Sequence, residues 1–130
     1  MLLIILLVLC LVFVQAMLPG RYLAEQVGAE RQMGPRDELP EPSLELQRSR
    51  RALGNLHETL PIFLTLAILT IVFQEQGWIS LAGGIVYLLA RIAHLVCYMR
   101  GLTPWRSYAF GVSALGILLV AGPVVPHIWA

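Results

Sequence analysis

The stretch that decides the fold is LLIILLVLCLVFVQAML, residues 2–18, in which Gln15 is the only polar residue. Its length approaches the ~20 residues that an α-helix needs to cross the hydrocarbon core of a bilayer. Residues 14–16, VQA, resemble a signal-peptide cleavage site, but the stretch lacks the positively charged start that signal peptides carry. We therefore predict a retained first membrane span over residues 2–18, with Pro19-Gly20 as a kink or break at its end.

Three further apolar stretches predict an all-α, four-helix membrane bundle with up-down topology, formed by residues 1–130 as a single domain. We place the later spans at about residues 52–73, 78–99 and 105–125, the last beginning after Thr103-Pro104 as a cap with proline at the first helical position. Hydrophobic residues make up 58% of the chain and charged residues 13%, against about a quarter charged in an average globular protein. So short a soluble chain could not bury this much apolar surface, whereas a bilayer can cover it.

One polar loop, at about residues 20–50, separates the first two spans. Its proline-rich part, residues 34–42, cannot be helical, and Ser43 is a plausible N-cap for the second helix. All nine basic residues of the chain are arginine, and six of them lie between Arg21 and Arg51. Basic loops stay preferentially in the cytoplasm, so we predict a cytoplasmic loop and two non-cytoplasmic termini. Acidic residues interrupt the arginines, and no nucleic-acid-binding surface is expected.

Polar side chains recur near one end of the second predicted span. Arg51, Asn55 and Glu58 have the i, i+4, i+7 spacing that places three residues on one face of a helix. A charged residue at the centre of a span costs about 2.5–3.5 kcal/mol on insertion scales, so such residues are functional candidates.

The third and fourth spans carry a matching set. Arg91, His94 and Tyr98 share one face of the third helix, and Arg106 and Ser107 lie in the first turn of the fourth. Up-down topology brings the start of the second helix, the end of the third and the start of the fourth to the same end of the bundle. The sequence therefore predicts one polar site at the cytoplasmic end.

The residue types of this site favour an anionic, peptide-like ligand. Arginine side chains bind carboxylates through paired hydrogen bonds, while Glu58 and Asn55 offer partners for an ammonium and for peptide groups. Arg106, beside a helix N-terminus, would stabilise a thiolate, with Tyr98 or Ser107 as hydrogen-bond donor. A structural role is the alternative, in which charged groups neutralise each other and polar groups hold the helices together.

The two cysteines carry no metal-binding pattern. Cys10 and Cys97 both fall in apolar stretches, where a thiol behaves as a small hydrophobic side chain, and we expect both to be buried. Neither has the Cys or His neighbours of a metal site, so none is predicted.

Residues 51–61, RALGNLHETLP, resemble the second-helix signature R-A-x-x-N-x-x-E of the MAPEG family, the membrane-associated proteins of eicosanoid and glutathione metabolism. Residues 91–98, RIAHLVCY, and the pair Arg106-Ser107 resemble the segments of the family's third and fourth helices. The resemblance implies a homotrimer of four-helix subunits that binds glutathione between neighbouring subunits. It also implies a bacterial inner-membrane protein, because residues 34–37 resemble the uncharacterised bacterial branch.

The resemblance assigns roles by position in the motifs. It implies that Arg91 is structural and paired with Glu58, and that Arg106 stabilises the glutathione thiolate. Gly54 and Phe110 stand where the prostaglandin E synthase branch has arginine and tyrosine, so eicosanoid substrates are not expected. The implied catalytic residues are Arg106, Ser107 and Tyr98, and the implied glutathione-binding residues are Arg31, Arg51, Asn55, Glu58 and His94.

The function implied is a membrane-bound glutathione-dependent transferase or peroxidase, with glutathione as co-substrate and a lipophilic electrophile as the second substrate. The alternative is a non-catalytic member of the same family that binds lipid or acts as a scaffold. A small four-span drug exporter is a third class, suggested by size alone. Such exporters carry an acidic residue in the first span, and residues 2–18 contain none.

Overall fold

The computed structural model describes all 130 residues, which form helices and no strand. Three helices, α1, α3 and α4, are long and apolar enough to cross a membrane, and α5 is a shorter apolar helix of 17 residues. The prediction of an all-α membrane bundle is confirmed. The helices are α1 (Leu2–Val27), α2 (Ala29–Met33), α3 (Leu44–Val72), α4 (Trp78–Arg100) and α5 (Trp105–Ala121), followed by a 3₁₀ helix (Val125–Trp129).

The first helix is longer than predicted. It continues to Val27, past residue 18, where the predicted span ends, and past Pro19 and Gly20, where a kink or break was predicted. Proline removes one backbone hydrogen bond, but membrane helices tolerate it because neighbouring helices and local adjustments satisfy the freed carbonyl. The helix ends instead at Gly28, whose φ of 90° suits glycine, and whose N–H donates to the Ala24 carbonyl at 2.8 Å.

The connection from α1 to α3 is tied down at the start of α3. The Ser43 hydroxyl accepts a hydrogen bond from the Leu46 N–H at 3.2 Å, which confirms the predicted N-cap. The side chain of Gln26 on α1 accepts from the Ser43 N–H at 3.0 Å and donates to the Glu41 carbonyl at 2.6 Å. Residues 34–42 are not helical, as predicted.

The fourth apolar helix differs from the prediction at both ends. Pro104 is the N-cap of α5 rather than its first helical residue, and no side chain caps the helix. The helix ends at Ala121, short of the predicted end near residue 125, because the chain turns through Gly122 and Pro123 into the 3₁₀ helix. The early end leaves α5 with only about 26 Å of length, from a rise of 1.5 Å per residue.

Helices α4 and α5 touch through glycine. A Cβ atom built on Gly83 would lie 2.8 Å from the Gly116 carbonyl oxygen, and one on Gly116 would lie 2.7 Å from the Gly83 carbonyl oxygen. Small residues allow this close approach of two backbones, which membrane helices use because lipid supplies no hydrophobic force between them. The pair holds the first turns of α4 in register against the last turns of α5.

The centre of the bundle is aromatic and tightly packed. Phe63 and Tyr87 are fully buried and stack with ring centroids 4.0 Å apart, and the Tyr87 hydroxyl lies 3.0 Å from the Thr59 hydroxyl. Large apolar side chains also face outward: Phe13 and Leu118 are 65% and 67% exposed. Apolar surface on both sides of the helices is what a bilayer solvent requires.

The two cysteines are not both buried, contrary to expectation. Cys10 lies on the exposed face of α1, and Cys97 is partly buried near the end of α4. The outward face of a membrane helix is as apolar as its inward face, so an apolar segment does not reveal which side a thiol takes.

Both chain ends lie beside the connection between α3 and α4. The amino group of Met1 donates to the Gln76 side-chain oxygen at 3.2 Å, and the His127 ring nitrogen Nε2 lies 2.9 Å from a Glu75 carboxylate oxygen. The start of α3, the end of α4 and the start of α5 therefore lie together at the opposite end. We call that end the arginine-rich end.

Candidate functional site

A polar cavity of about 250 Å³ opens at the arginine-rich end between α3, α4 and α5. We call it the Asn55 cavity. Five of its six lining residues were predicted from the sequence, and the sixth, Phe110, adds an apolar wall that is 38% exposed on α5. The predicted lining residues are Asn55, His94, Tyr98, Arg106 and Ser107.

A second cavity of about 210 Å³ adjoins the first, and Tyr98 and Arg106 line both. We call it the Arg51 cavity. Arg48 and Arg51 on α3 face Arg106 across it, and no carboxylate lines either cavity. Three guanidinium groups without an acidic partner produce a strongly positive potential that favours an anionic ligand.

Tyr98 holds Arg106 at the boundary of the two cavities. The guanidinium carbon of Arg106 lies 4.8 Å from the centre of the Tyr98 ring, within cation–π range. The His94 ring lies behind, with its centroid 5.4 Å from that of Tyr98. The Arg106 guanidinium makes no hydrogen bond or ion pair with the protein, whereas its backbone N–H donates to the Leu102 carbonyl at 3.2 Å. Its side-chain donors are therefore available to a ligand.

Arg91 does not pair with Glu58, contrary to expectation. Its side chain is fully buried and one terminal nitrogen donates to the Asn55 side-chain oxygen at 3.0 Å, while Glu58 lies on the exposed face of α3. The i, i+3 offset from Asn55 leaves Glu58 only ~60° away around the helix axis, but this turn is enough to place its side chain on the exposed face, where it forms no ion pair with the buried guanidinium. Because Arg91 occupies the Asn55 oxygen, the Asn55 amide nitrogen remains free to donate to a ligand.

Two predicted site residues do not line either cavity. Arg31 is exposed and donates to the Glu38 carbonyl at 2.6 Å within the loop, and Glu58 lies outside both cavities on the exposed face of α3. Within one subunit, the structure therefore gathers six of the eight predicted residues. Arg51 lines the Arg51 cavity, and the other five predicted residues line the Asn55 cavity.

Arg48 is a site residue that sequence reasoning missed. One terminal nitrogen donates to the Met99 carbonyl at 3.1 Å, which fastens the start of α3 to the end of α4. A Cβ atom on Gly101 would lie 2.6 Å from the other terminal nitrogen, so this glycine, with φ 67°, makes room for the side chain. Its i, i+3 spacing before Arg51 was the available signal.

The fold and this site define an α-helical integral membrane protein with two adjoining cation-rich cavities at one end of the bundle. The chain belongs to the MAPEG family, whose sequence model matches residues 1–125, and the resemblance inferred from the motifs is thereby confirmed. A comparison with curated proteins finds no match.

Proposed function

We propose that the protein is a membrane-bound glutathione-dependent transferase or peroxidase that acts on lipophilic electrophiles. The MAPEG family includes glutathione transferases and peroxidases. The observation that carries the proposal is the pair of adjoining cavities, in which three arginines converge and no carboxylate is present.

Glutathione has two carboxylates, two peptide groups, an ammonium and a thiol, and the site offers a partner for most of these. Arg48 and Arg51 would bind a carboxylate in the Arg51 cavity, because guanidinium groups match carboxylates in two-point hydrogen bonds. The free amide nitrogen of Asn55 would donate to a peptide carbonyl. The thiol would then lie near Arg106, which lines both cavities.

The exposed position of Glu58 supports an assembly. Arg51 and Glu58 both lie on the exposed face of α3. Glu58 lies ~11 Å deeper along the helix than Arg51, where lipid tails cannot satisfy a charged group. In a homotrimer, a neighbouring subunit would cover this face, and Glu58 would bind the glutathione ammonium between subunits. The basic loop would place the arginine-rich end in the cytoplasm, in a bacterial inner membrane.

Catalysis follows from thiolate stabilisation. Arg106 would favour the thiolate by charge, and the Ser107 or Tyr98 hydroxyl would donate a hydrogen bond to it. In a transferase step, the sulfur bonds to an electrophilic carbon as a leaving group departs or a double bond takes up the proton. In a peroxidase step, the thiolate attacks a hydroperoxide oxygen and gives an alcohol and a sulfenic acid, which a second glutathione converts to disulfide and water. Phe110 offers the lipophilic substrate an apolar wall.

Titration calorimetry with glutathione on the detergent-purified protein tests the proposal. We expect binding, a thiolate ultraviolet difference spectrum, and loss of both in Arg106→Ala. Arg100→Ala is the matched control, because Arg100 is exposed at the same end but lines neither cavity. Absence of binding at millimolar glutathione would refute the proposal. Binding without a thiolate signal would favour the non-catalytic lipid-binding or scaffold member.

A further inference from the structure

A third cavity, of about 780 Å³, lies on the other side of α3, between α3 and α1. We call it the α1–α3 cavity. Its α3 wall includes Arg50, Gly54 and His57, each one residue before a member of the Arg51, Asn55 and Glu58 set. One residue rotates a helix position by ~100°, so α3 separates this cavity from the proposed glutathione site.

The α1–α3 cavity is cationic. Three arginines and one histidine are among its lining residues, and none of these residues is acidic, although the whole chain has nearly as many acidic as basic residues. Without a bound anion, the positive side chains that line this cavity repel one another, with no negative side chain in the lining to compensate them. The polar residues that line it are Arg21, Gln32, Arg36, Arg50 and His57.

The guanidinium groups of this cavity are largely free. The Arg50 side chain makes no hydrogen bond or ion pair with the protein. Arg21 lies 3.0 Å from a Glu25 carboxylate oxygen, but both side chains are more than half exposed, and such pairs hold weakly. Arg36 has φ 61° and donates through Nε to the Gln32 carbonyl at 2.7 Å, which fixes its direction and leaves its terminal nitrogens unused.

The cavity changes from polar to apolar along the membrane normal. At 1.5 Å per residue, Arg21 lies ~29 Å from Leu2 along α1 and Arg50 lies ~33 Å from Val72 along α3, close to the ~30 Å thickness of the hydrocarbon core. Both arginines therefore lie at the depth of the lipid headgroups. Met17, which is 55% exposed, and Leu53 form walls of the same cavity about a turn deeper.

We propose that the α1–α3 cavity binds the phosphate of an anionic phospholipid headgroup, with an acyl chain against Met17 and Leu53. Arginine binds phosphate oxygens through paired hydrogen bonds, and basic pockets between membrane helices recognise such headgroups. Free phosphate would use the same guanidinium groups but not the apolar wall. Gly54 leaves room for the lipid, since a Cβ atom there would meet no other atom within 4 Å.

Native mass spectrometry of the full chain in detergent, titrated with phosphatidylglycerol and phosphatidylcholine, tests this proposal. We expect phosphatidylglycerol to be retained preferentially and to lose affinity about fivefold for each arginine removed, in Arg50→Gln and in Arg21→Gln/Arg50→Gln. Arg100→Gln, which removes an equal charge at the same end outside the cavity, should bind like the parent protein. Gly54→Phe should block binding with no change of charge, and Gly111→Phe on an open face of α5 is its control.

Three results would overturn the proposal. The first is unchanged phosphatidylglycerol affinity in the double arginine variant and in Gly54→Phe, with circular dichroism showing that both fold. The second is displacement of the lipid by an equal concentration of inorganic phosphate, which would assign a site for the free anion. The third is loss of glutathione binding in Arg50→Gln, which would make the cavity part of the glutathione site. The first two results come from lipid measurements that use no glutathione, so they are independent of the proposed function.

Discussion

Replacing Gly116 by alanine is expected to separate α4 from α5. The new Cβ would lie 2.7 Å from both the Gly83 carbonyl oxygen and the Tyr87 backbone nitrogen. Ordinary van der Waals contact begins near 3.4 Å, so the two backbones must move apart by about 0.7 Å, the difference between these distances. Neither contact atom belongs to a flexible side chain that could move aside. Overpacking of this kind costs about 1–3 kcal/mol.

Gly111→Ala is the matched control in the same helix. A Cβ atom at Gly111 would meet nothing within 4 Å, so this variant keeps only the gain of about 1 kcal/mol that alanine has over glycine in a helix. Both variants share this propensity gain, so they should differ in free energy of unfolding by the overpacking cost alone, about 1–3 kcal/mol.

Reversible unfolding in mixed micelles, followed by circular dichroism, measures this difference. Because α5 carries Arg106 and Ser107, Gly116→Ala should also weaken glutathione binding, whereas Gly111→Ala should not. Equal stability of the two alanine variants would refute the conclusion that backbone contact between Gly83 and Gly116 fixes the helix pair.

Three further predictions concern single interactions. Arg91→Leu should fold at least as stably as the parent, because it removes a buried charge that has only one hydrogen bond. It should bind glutathione about tenfold more weakly, because Asn55 loses the partner that orients its side chain. Unchanged affinity by calorimetry would contradict this. Tyr87→Phe and Thr59→Val should each lower the free energy of unfolding by about 0.5–2 kcal/mol. The double variant should lower it by less than the sum of the two single effects. Strict additivity in the double-mutant cycle would exclude a coupled hydroxyl pair. Ser43→Ala should cost about 1 kcal/mol of thermal stability through loss of the N-cap, and a Tm equal to that of the parent would count against the cap.

Local signals predicted the parts of the fold that depend on neighbouring residues. Ser43 caps α3 as expected because the cap is a contact between residues three positions apart. Pro19 was the reason for placing the end of the first span at residue 18. The rule that proline ends a helix comes from chains in water, where a freed carbonyl can bond to solvent and the chain can turn. In a bilayer, a turn at that point would expose backbone to lipid, and continuing the helix is less costly.

Topology predicted which ends of the helices meet, but not the pairing of individual side chains. Helical spacing places Arg51, Asn55 and Glu58 within about 60° of one another, and that is too coarse to decide which of them reaches Arg91. The structure selects Asn55 because it faces α4, and it leaves Glu58 exposed. The angle of each helix about its own axis is set by packing such as the Gly83–Gly116 contact, which sequence spacing alone does not reveal.

The arrangement of charge around α3 has a consequence for stability. Arg50 and Arg51 are consecutive residues, yet they line separate cavities, and all the cavities they line lack carboxylates. Without ligands, like charges therefore repel one another on both sides of one helix, and each bound anion removes part of that repulsion. Binding to the folded state alone raises stability by RT ln(1 + [L]/Kd), so glutathione and phosphatidylglycerol should each raise the Tm. If the two Tm increases add when both ligands are present, the two sites act independently. A combined Tm increase above their sum would show that α3 couples the sites, because an anion on one side lowers the cost of holding the arginines on the other.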